Sequence, residues 1–126
     1  MKKSLYLGLL LMILQNMAFA YDTSGNYAVW GTGKKSCFSF QKDQKDENIQ
    51  KYKHYMKGFI TAYNVFTEKT YSISSTMNET QIFEWINAYC DDNPMSSFEG
   101  ALTEFTFDHY DDRSKSAKSY RGGGGW

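Results

Sequence analysis

The sequence has little of several features that usually reveal a protein's function. It contains two cysteines, one proline and two histidines, and its formal charges at pH 7 cancel. Its one clear apolar run, Leu5 to Leu14, is about half the length that a helix needs to cross a bilayer. The balanced charge provides no basic patch of the kind that binds nucleic acid. The composition therefore argues against nucleic-acid binding and against stable membrane insertion.

Motifs for the common catalytic chemistries are also missing. There is no HExxH pair, no glycine-rich phosphate loop and no serine in a nucleophile elbow. Carboxylates gather at Asp91-Asp92 and around Asp108, Asp111 and Asp112, but neither group has EF-hand spacing. No catalytic residue, cofactor or metal ion is predicted.

The two histidines are the remaining candidates for acid–base chemistry. His54 falls beside lysines on one helical segment, and His109 falls at the end of another, where the helix dipole favours a cation. A small secreted hydrolase that uses His54 or His109 is the alternative from the enzyme class.

The first 20 residues have the three parts of a cleavable export signal. Lys2 and Lys3 precede the apolar run, and Ala18-Phe19-Ala20 forms a small-x-small cleavage site. Cleavage near Ala20 predicts a mature chain that starts at Tyr21 and resides in the bacterial periplasm or the medium. Without Lys2 and Lys3, that chain has 12 basic and 14 acidic residues, a weakly acidic balance.

Cys37 and Cys90 are the only cysteines. An even number of cysteines in an exported chain indicates a disulfide, and the spacing suits neither a zinc site nor a redox CxxC. Closing this loop of some 54 residues removes on the order of 4 kcal/mol of denatured-chain entropy.

The mature chain begins without helical periodicity. Residues 21–35 are predicted to form an extended lead, followed by a short apolar patch that Cys37 opens with Phe38 and Phe40. Residues 41–47 are predicted to be a charged connector.

Three helices are predicted beyond the connector. The first spans Asp46 to about Thr67, and Gly58 within it suggests close approach of another backbone. The second begins near Asn78, where Thr76 and Glu79 have capping-box spacing. Apolar residues recur at three- and four-residue steps on each inner face. These residues are Ile49, Tyr52, Met56, Phe59, Ile60, Tyr63 and Phe66 on the first helix, and Ile82, Trp85, Ile86, Tyr89 and Cys90 on the second.

The third helix is predicted to start at Pro94, with Asn93 as its N-cap. Its inner face carries Met95, Phe98, Ala101, Leu102, Phe105 and His109. Polar residues and four glycines follow, so residues 112–126 are predicted to be a disordered tail. The predicted fold is a small all-α bundle of three to four helices, closed by one disulfide. A single domain of residues 21–111 lies between the signal peptide and the tail.

Aromatic residues make up 17% of the chain, which is more than so small a bundle can bury. Tyrosine and tryptophan are enriched where proteins bind partners. The predicted binding residues are Tyr63, Phe66, Tyr71, Phe83 and Phe107. The competing interpretation is that large aromatics supply core volume in a small domain.

Several short strings resemble a group of small exported bacterial proteins. They are Trp30-Gly31-Thr32-Gly33 before Cys37, Lys57-Gly58-Phe59 with Ala62 and Asn64, and Trp85-Ile86-Asn87 with Tyr89-Cys90 and Asn93-Pro94. In size, signal and single disulfide the chain is similar to the HdeA/HdeB acid-stress chaperones. It also looks distantly like the Rap1a/Tai immunity proteins, which neutralise toxins that attack peptidoglycan. The resemblance implies structural roles for Cys37, Cys90, Gly58, Trp85 and Pro94; Asn93 is predicted to be structural as a helix cap.

These patterns together predict an exported, non-enzymatic binding protein. Its partner would be a protein, either the clients of an acid-stress chaperone or an envelope hydrolase or toxin that it inhibits. A secretion or envelope accessory protein is the third alternative. The oligomeric state stays open at this point.

Overall fold

The computed structural model of the chain describes residues 22–46 and 48–120. A 3₁₀ turn at Gly31–Lys34 is followed by four helices, which are α1 (Cys37–Lys45), α2 (Gln50–Phe66), α3 (Glu79–Asp92) and α4 (Phe98–Asp108). The described residues contain two isolated β-bridges and no strand. The predicted all-α bundle is thereby confirmed. The predicted signal peptide, residues 1–20, lies outside the described residues.

Helix α1 is longer than the sequence pattern suggested. Ser36 caps it, because its hydroxyl accepts a hydrogen bond from the Ser39 amide at 3.2 Å. Residues 41–45, predicted to be a connector, continue the helix. Their polar side chains bond to α3: the Gln41 amide donates to Asp91 at 2.6 Å and the Gln44 amide donates to Asn87 at 3.0 Å. The extended lead also needs correction, because its last residues form the 3₁₀ turn.

Helix α2 buries Tyr52, Met56 and Ile60, which recur at four-residue steps. Gly58 does not mark a helix crossing, since it is exposed and a Cβ there would meet no atom within 4 Å. The close approach occurs at Gly33 in the 3₁₀ turn. A Cβ on Gly33 would overlap the Tyr55 phenol ring, so glycine allows the turn to lie against α2.

Helix α3 begins with a capping box, which lies two residues further along the chain than the predicted pair of Thr76 and Glu79. The Asn78 side chain accepts from the Gln81 amide at 3.0 Å, and Gln81 accepts from the Asn78 amide at 2.9 Å. Glu79 binds elsewhere: its carboxylate pairs with Lys57 at 2.9 Å and Lys53 at 3.3 Å. These ion pairs connect α2 to the first turn of α3.

Helix α4 starts at Phe98 rather than at Pro94, with Ser97 as its N-cap. The intervening residues bond to the chain around α1 instead. The Cys37 amide donates to the Ser96 carbonyl at 2.8 Å, and the Phe38 amide donates to the Pro94 carbonyl at 3.0 Å. Residues 94–96 therefore form a main-chain pairing and cannot be helical.

Two residues near this pairing were also placed differently by the sequence pattern. Asn93 ends α3, where its side chain donates to the Tyr89 carbonyl at 2.9 Å, and it caps no following helix. Met95 is exposed and does not belong to the inner face of α4.

The core lies around the Cys37–Cys90 disulfide, whose Cα atoms are 5.0 Å apart and which ties α1 to α3. The predicted pairing is confirmed. Beside it, the rings of Phe40, Tyr52 and Phe98 lie 4.9–5.1 Å from one another. The remaining buried apolar residues are Met56, Ile60, Ile73, Ile82, Ile86, Ala101, Leu102 and Phe105.

Trp85 packs against the end of this core. Its ring stacks on Tyr89 at 5.8 Å and meets the edge of Phe105 at 5.4 Å.

Residues 112–120 differ from the predicted disordered tail. Ser114 is buried and forms an antiparallel bridge with Ser72, with main-chain bonds of 2.8–3.1 Å to residues 71 and 72. The Tyr120 ring packs on Tyr71 at 5.6 Å. This segment covers the loop between α2 and α3, in which Ile73 is buried. Residues 121–126 lie outside the described residues.

Candidate functional site

A groove of about 250 Å³ opens between α2, α4 and the segment before the 3₁₀ turn. We call it the aromatic groove. It is lined by Tyr27, Phe59, Tyr63, Glu99, Thr103, Thr106 and Phe107.

Helical spacing places these side chains together. Phe59 and Tyr63 are four residues apart on α2, so they share one face of that helix. Glu99, Thr103 and Phe107 follow the same four-residue step along α4. The two helices supply facing walls, and the irregular N-terminal segment brings Tyr27 to the rim.

Glu99 provides the charged group of the groove. It is only 7% exposed. Its carboxylate accepts a hydrogen bond from the Thr103 hydroxyl at 2.7 Å and from the Tyr27 hydroxyl at 3.1 and 3.2 Å. Glu99 belongs to the first turn of α4, where the helix dipole favours a negative charge. Within residues 22–46 and 48–120, none of the ion pairs involves this carboxylate.

The charge of Glu99 affects the pKa of the nearby Tyr55. Burial is the main reason that the pKa of Tyr55 is raised, and the charge of Glu99 raises it further. The phenol of Tyr55, which also packs against Gly33, therefore stays neutral behind the groove.

The structure brings together two of the five predicted binding residues. Tyr63 and Phe107 both line the aromatic groove, and Phe107 is 63% exposed. Phe66 lies beyond the groove and is 87% exposed. Tyr71 packs on Tyr120 instead. Phe83 packs on Phe40 at 5.8 Å and lines a second, more polar depression with residues of α1 and α3.

Sequence reasoning missed Tyr27, Glu99 and Thr103. The four-residue step that joins Glu99, Thr103 and Phe107 is visible in the sequence, and it could have predicted that these side chains share one face of a helix. Tyr27 lies in a segment without periodicity, so no local signal places it near Glu99, 72 positions away.

The two histidines lie apart from the groove. His54 is exposed on α2. His109 follows α4, where its Nδ1 lies 2.9 Å from the Phe105 carbonyl and its ring stacks on Phe105 at 4.2 Å. Neither histidine contributes to the lining of the groove.

No group of three or more His, Cys, Asp or Glu side chains among the described residues could hold a metal ion. None of the described helices has the length and apolar character needed to cross a membrane.

Comparison with protein-family models, curated proteins and solved structures gives no match to this chain. The resemblance to acid-stress chaperones and immunity proteins therefore stays a prediction.

Proposed function

We propose that this chain is an exported, non-enzymatic protein that binds a protein partner through the aromatic groove. The Cys37–Cys90 disulfide supports an oxidising compartment, as in the periplasm or the medium. Export through the signal at residues 1–20, with cleavage near Ala20, belongs to this proposal.

The observation that carries the proposal is the exposed aromatic wall next to a buried carboxylate. Phe107 keeps most of its surface in contact with water although it borders a cavity. Large aromatic side chains in such positions typically supply much of the energy of a protein interface.

The size of the groove favours a protein side chain as its occupant. Small-molecule sites usually enclose about 300–1,000 Å³. The aromatic groove is smaller, at about 250 Å³, and one large side chain of a partner would fill it. A groove of this size, in a domain closed by a disulfide, favours the inhibitor of an envelope hydrolase or toxin over a chaperone, which must accept many clients.

Two phenylalanines allow a matched test of this proposal. Phe107 lines the groove, whereas Phe66 is still more exposed and lies outside it. Mature protein with Phe107→Ser or Phe66→Ser would be compared with wild type, first by photo-crosslinking from the groove in the periplasm of the source bacterium. The partner identified by crosslinking would then be purified without the crosslink, and titration calorimetry would give its affinity for the wild type and for each variant.

We expect Phe107→Ser to weaken binding by at least 2 kcal/mol, about 30-fold, and Phe66→Ser to change it by less than about twofold. Equal affinities for the two variants would contradict the proposal. Loss of anti-aggregation activity near pH 3 in both variants, without a specific partner, would favour the chaperone.

The hydrolase alternative can be tested in the same assay. A variant with both His54→Ala and His109→Ala should keep its affinity, because neither ring contacts the groove. Loss of all activity in this double variant, with its fold unchanged, would support the hydrolase alternative.

A further inference from the structure

We infer that the aromatic groove accepts a lysine or arginine side chain of the protein partner, with the cation placed against Glu99. This inference rests on the proposed function and names the chemistry that the groove recognises.

The burial of Glu99 is the first step of the argument. A carboxylate removed from water is costly unless a cation or several hydrogen bonds compensate it. Glu99 has two hydroxyl partners, Thr103 and Tyr27, and both are neutral. The carboxylate nevertheless borders the cavity, so a ligand that enters the groove can reach it. An ammonium or guanidinium group would add a charge-assisted hydrogen bond to those from the two neutral hydroxyls.

The walls of the groove suit the rest of such a side chain. The rings of Phe59, Tyr63 and Phe107 give an apolar surface along which the carbon stem of lysine or arginine can lie. Aromatic faces also attract a cation, and the attraction grows as the cation is removed from water. An apolar ligand would match the walls and form no hydrogen bond or ion pair with Glu99.

The protein's own lysines on α2 are paired elsewhere. Lys53 and Lys57 both pair with Glu79 at the start of α3, and Lys51 pairs with Asp43 at 2.7 Å. Among residues 22–46 and 48–120 no ion pair includes Glu99, so the inferred cation is assigned to the partner.

Short peptides provide defined probes for this site. The peptide N-acetyl-Ala-Leu-Lys-Leu-Ala-amide would be titrated into ¹⁵N-labelled mature protein. In a second peptide norleucine replaces the lysine, which removes the charge and keeps the carbon stem. We expect the lysine peptide to bind at least about tenfold more tightly and to shift the amide signals of Thr103 and Phe107.

Two variants identify the carboxylate responsible. Glu99→Gln keeps the size of the side chain and removes its charge, so the tenfold preference for lysine should disappear. Glu104→Gln removes one charge from an exposed position of the same helix and should leave the preference unchanged. The amide spectrum of each variant shows whether it is folded.

The outcomes separate this inference from the proposed function. Equal binding of the two peptides to wild type overturns the cation site, and so does absence of binding up to about 10 mM. Signal shifts confined to residues outside the groove would also overturn the cation site. These results come from the wild-type protein, so they decide the matter even if Glu99→Gln fails to fold. The proposed function fails on different grounds, namely an unchanged partner affinity in Phe107→Ser.

Discussion

Removing the Cys37–Cys90 disulfide should cost the domain a large part of its stability. The bond closes a loop with a sequence separation of 53. The loop-entropy relation for such a length gives about 14 cal/mol/K, or about 4 kcal/mol at 25 °C. Both cysteines are fully buried, so Cys37→Ala with Cys90→Ala also removes packed sulfur atoms, for about 1 kcal/mol more. Domains of this size have a total stability of about 5–15 kcal/mol.

The two contributions can be measured separately by urea unfolding. Wild-type protein held reduced keeps its sulfur atoms and loses only the covalent tie, so its free energy of unfolding should fall by about 4 kcal/mol. With a typical slope of 1–3 kcal/mol per molar urea, the midpoint should fall by about 1.5–4 M. The double alanine variant should be slightly less stable again.

The reasoning would be refuted if the reduced protein unfolded within about 1 kcal/mol of the oxidised protein. That result would mean that the denatured chain already holds the two cysteines close together. A double alanine variant far less stable than the reduced protein would instead assign most of the effect to packing.

Three further predictions concern two glycines, the C-terminal segment and Glu79. Gly33→Ala should lower the melting temperature, because its Cβ would overlap the Tyr55 ring, whereas Gly58→Ala should raise stability by up to about 1 kcal/mol. Truncation after Asp111 should lower the melting temperature by several degrees, since the bridge between Ser114 and Ser72 is lost; truncation after Tyr120 should leave that bridge intact. The pKa of Glu79 is held below its ordinary 4.5, chiefly by Lys57 and also by Lys53. The stabilisation of the folded state by the Glu79 carboxylate is therefore present above pH 4.5 and is lost as the pH falls through the lowered pKa of the folded state. Glu79→Gln should therefore show a smaller fall in urea midpoint between pH 7 and pH 3 than wild type.

Each of these predictions has a contrary result. A Gly33→Ala variant as stable as wild type would show that the 3₁₀ turn can move away from α2. Equal melting temperatures for the two truncated chains would show that residues 112–120 add nothing to stability. An unchanged pH profile in Glu79→Gln would assign acid sensitivity to other carboxylates, of which Asp43 is one, because Lys51 and Tyr52 lower its pKa.

The sequence predicted well those helices whose apolar residues follow a regular step. Helices α2 and α3 agree with their predicted positions to within a few residues, because their inner faces are continuous. Helix α1 was cut short since its second half is polar, and its glutamines are satisfied by α3, a contact that no local pattern reveals. Pro94 misled the prediction for α4 because the residues around it pair with the chain near Cys37, more than 50 positions away.

The site was harder to predict than the fold. Tyr63 and Phe107 were selected as exposed aromatics, and the structure places both in one groove. Glu99 was not selected, since an acidic residue in the first turn of a helix is ordinary and solvated in most proteins. In the structure Glu99 is buried, and Tyr27, from a distant segment of the chain, donates to its carboxylate.

The main-chain pairing between the start of α1 and the start of α4 determines when the core can form during synthesis. The Phe98 amide donates to the Lys35 carbonyl at 2.7 Å. The two paired segments can therefore meet only after nearly all of the domain has been synthesised. At about 5–20 residues per second, the roughly 70 residues from Lys35 to Phe105 take about 4–14 s to emerge. During that interval α1 and α3 can pack against each other, but the core still lacks Phe98 and Phe105, which α4 supplies. The apolar core is therefore completed only when translation of the domain is almost finished.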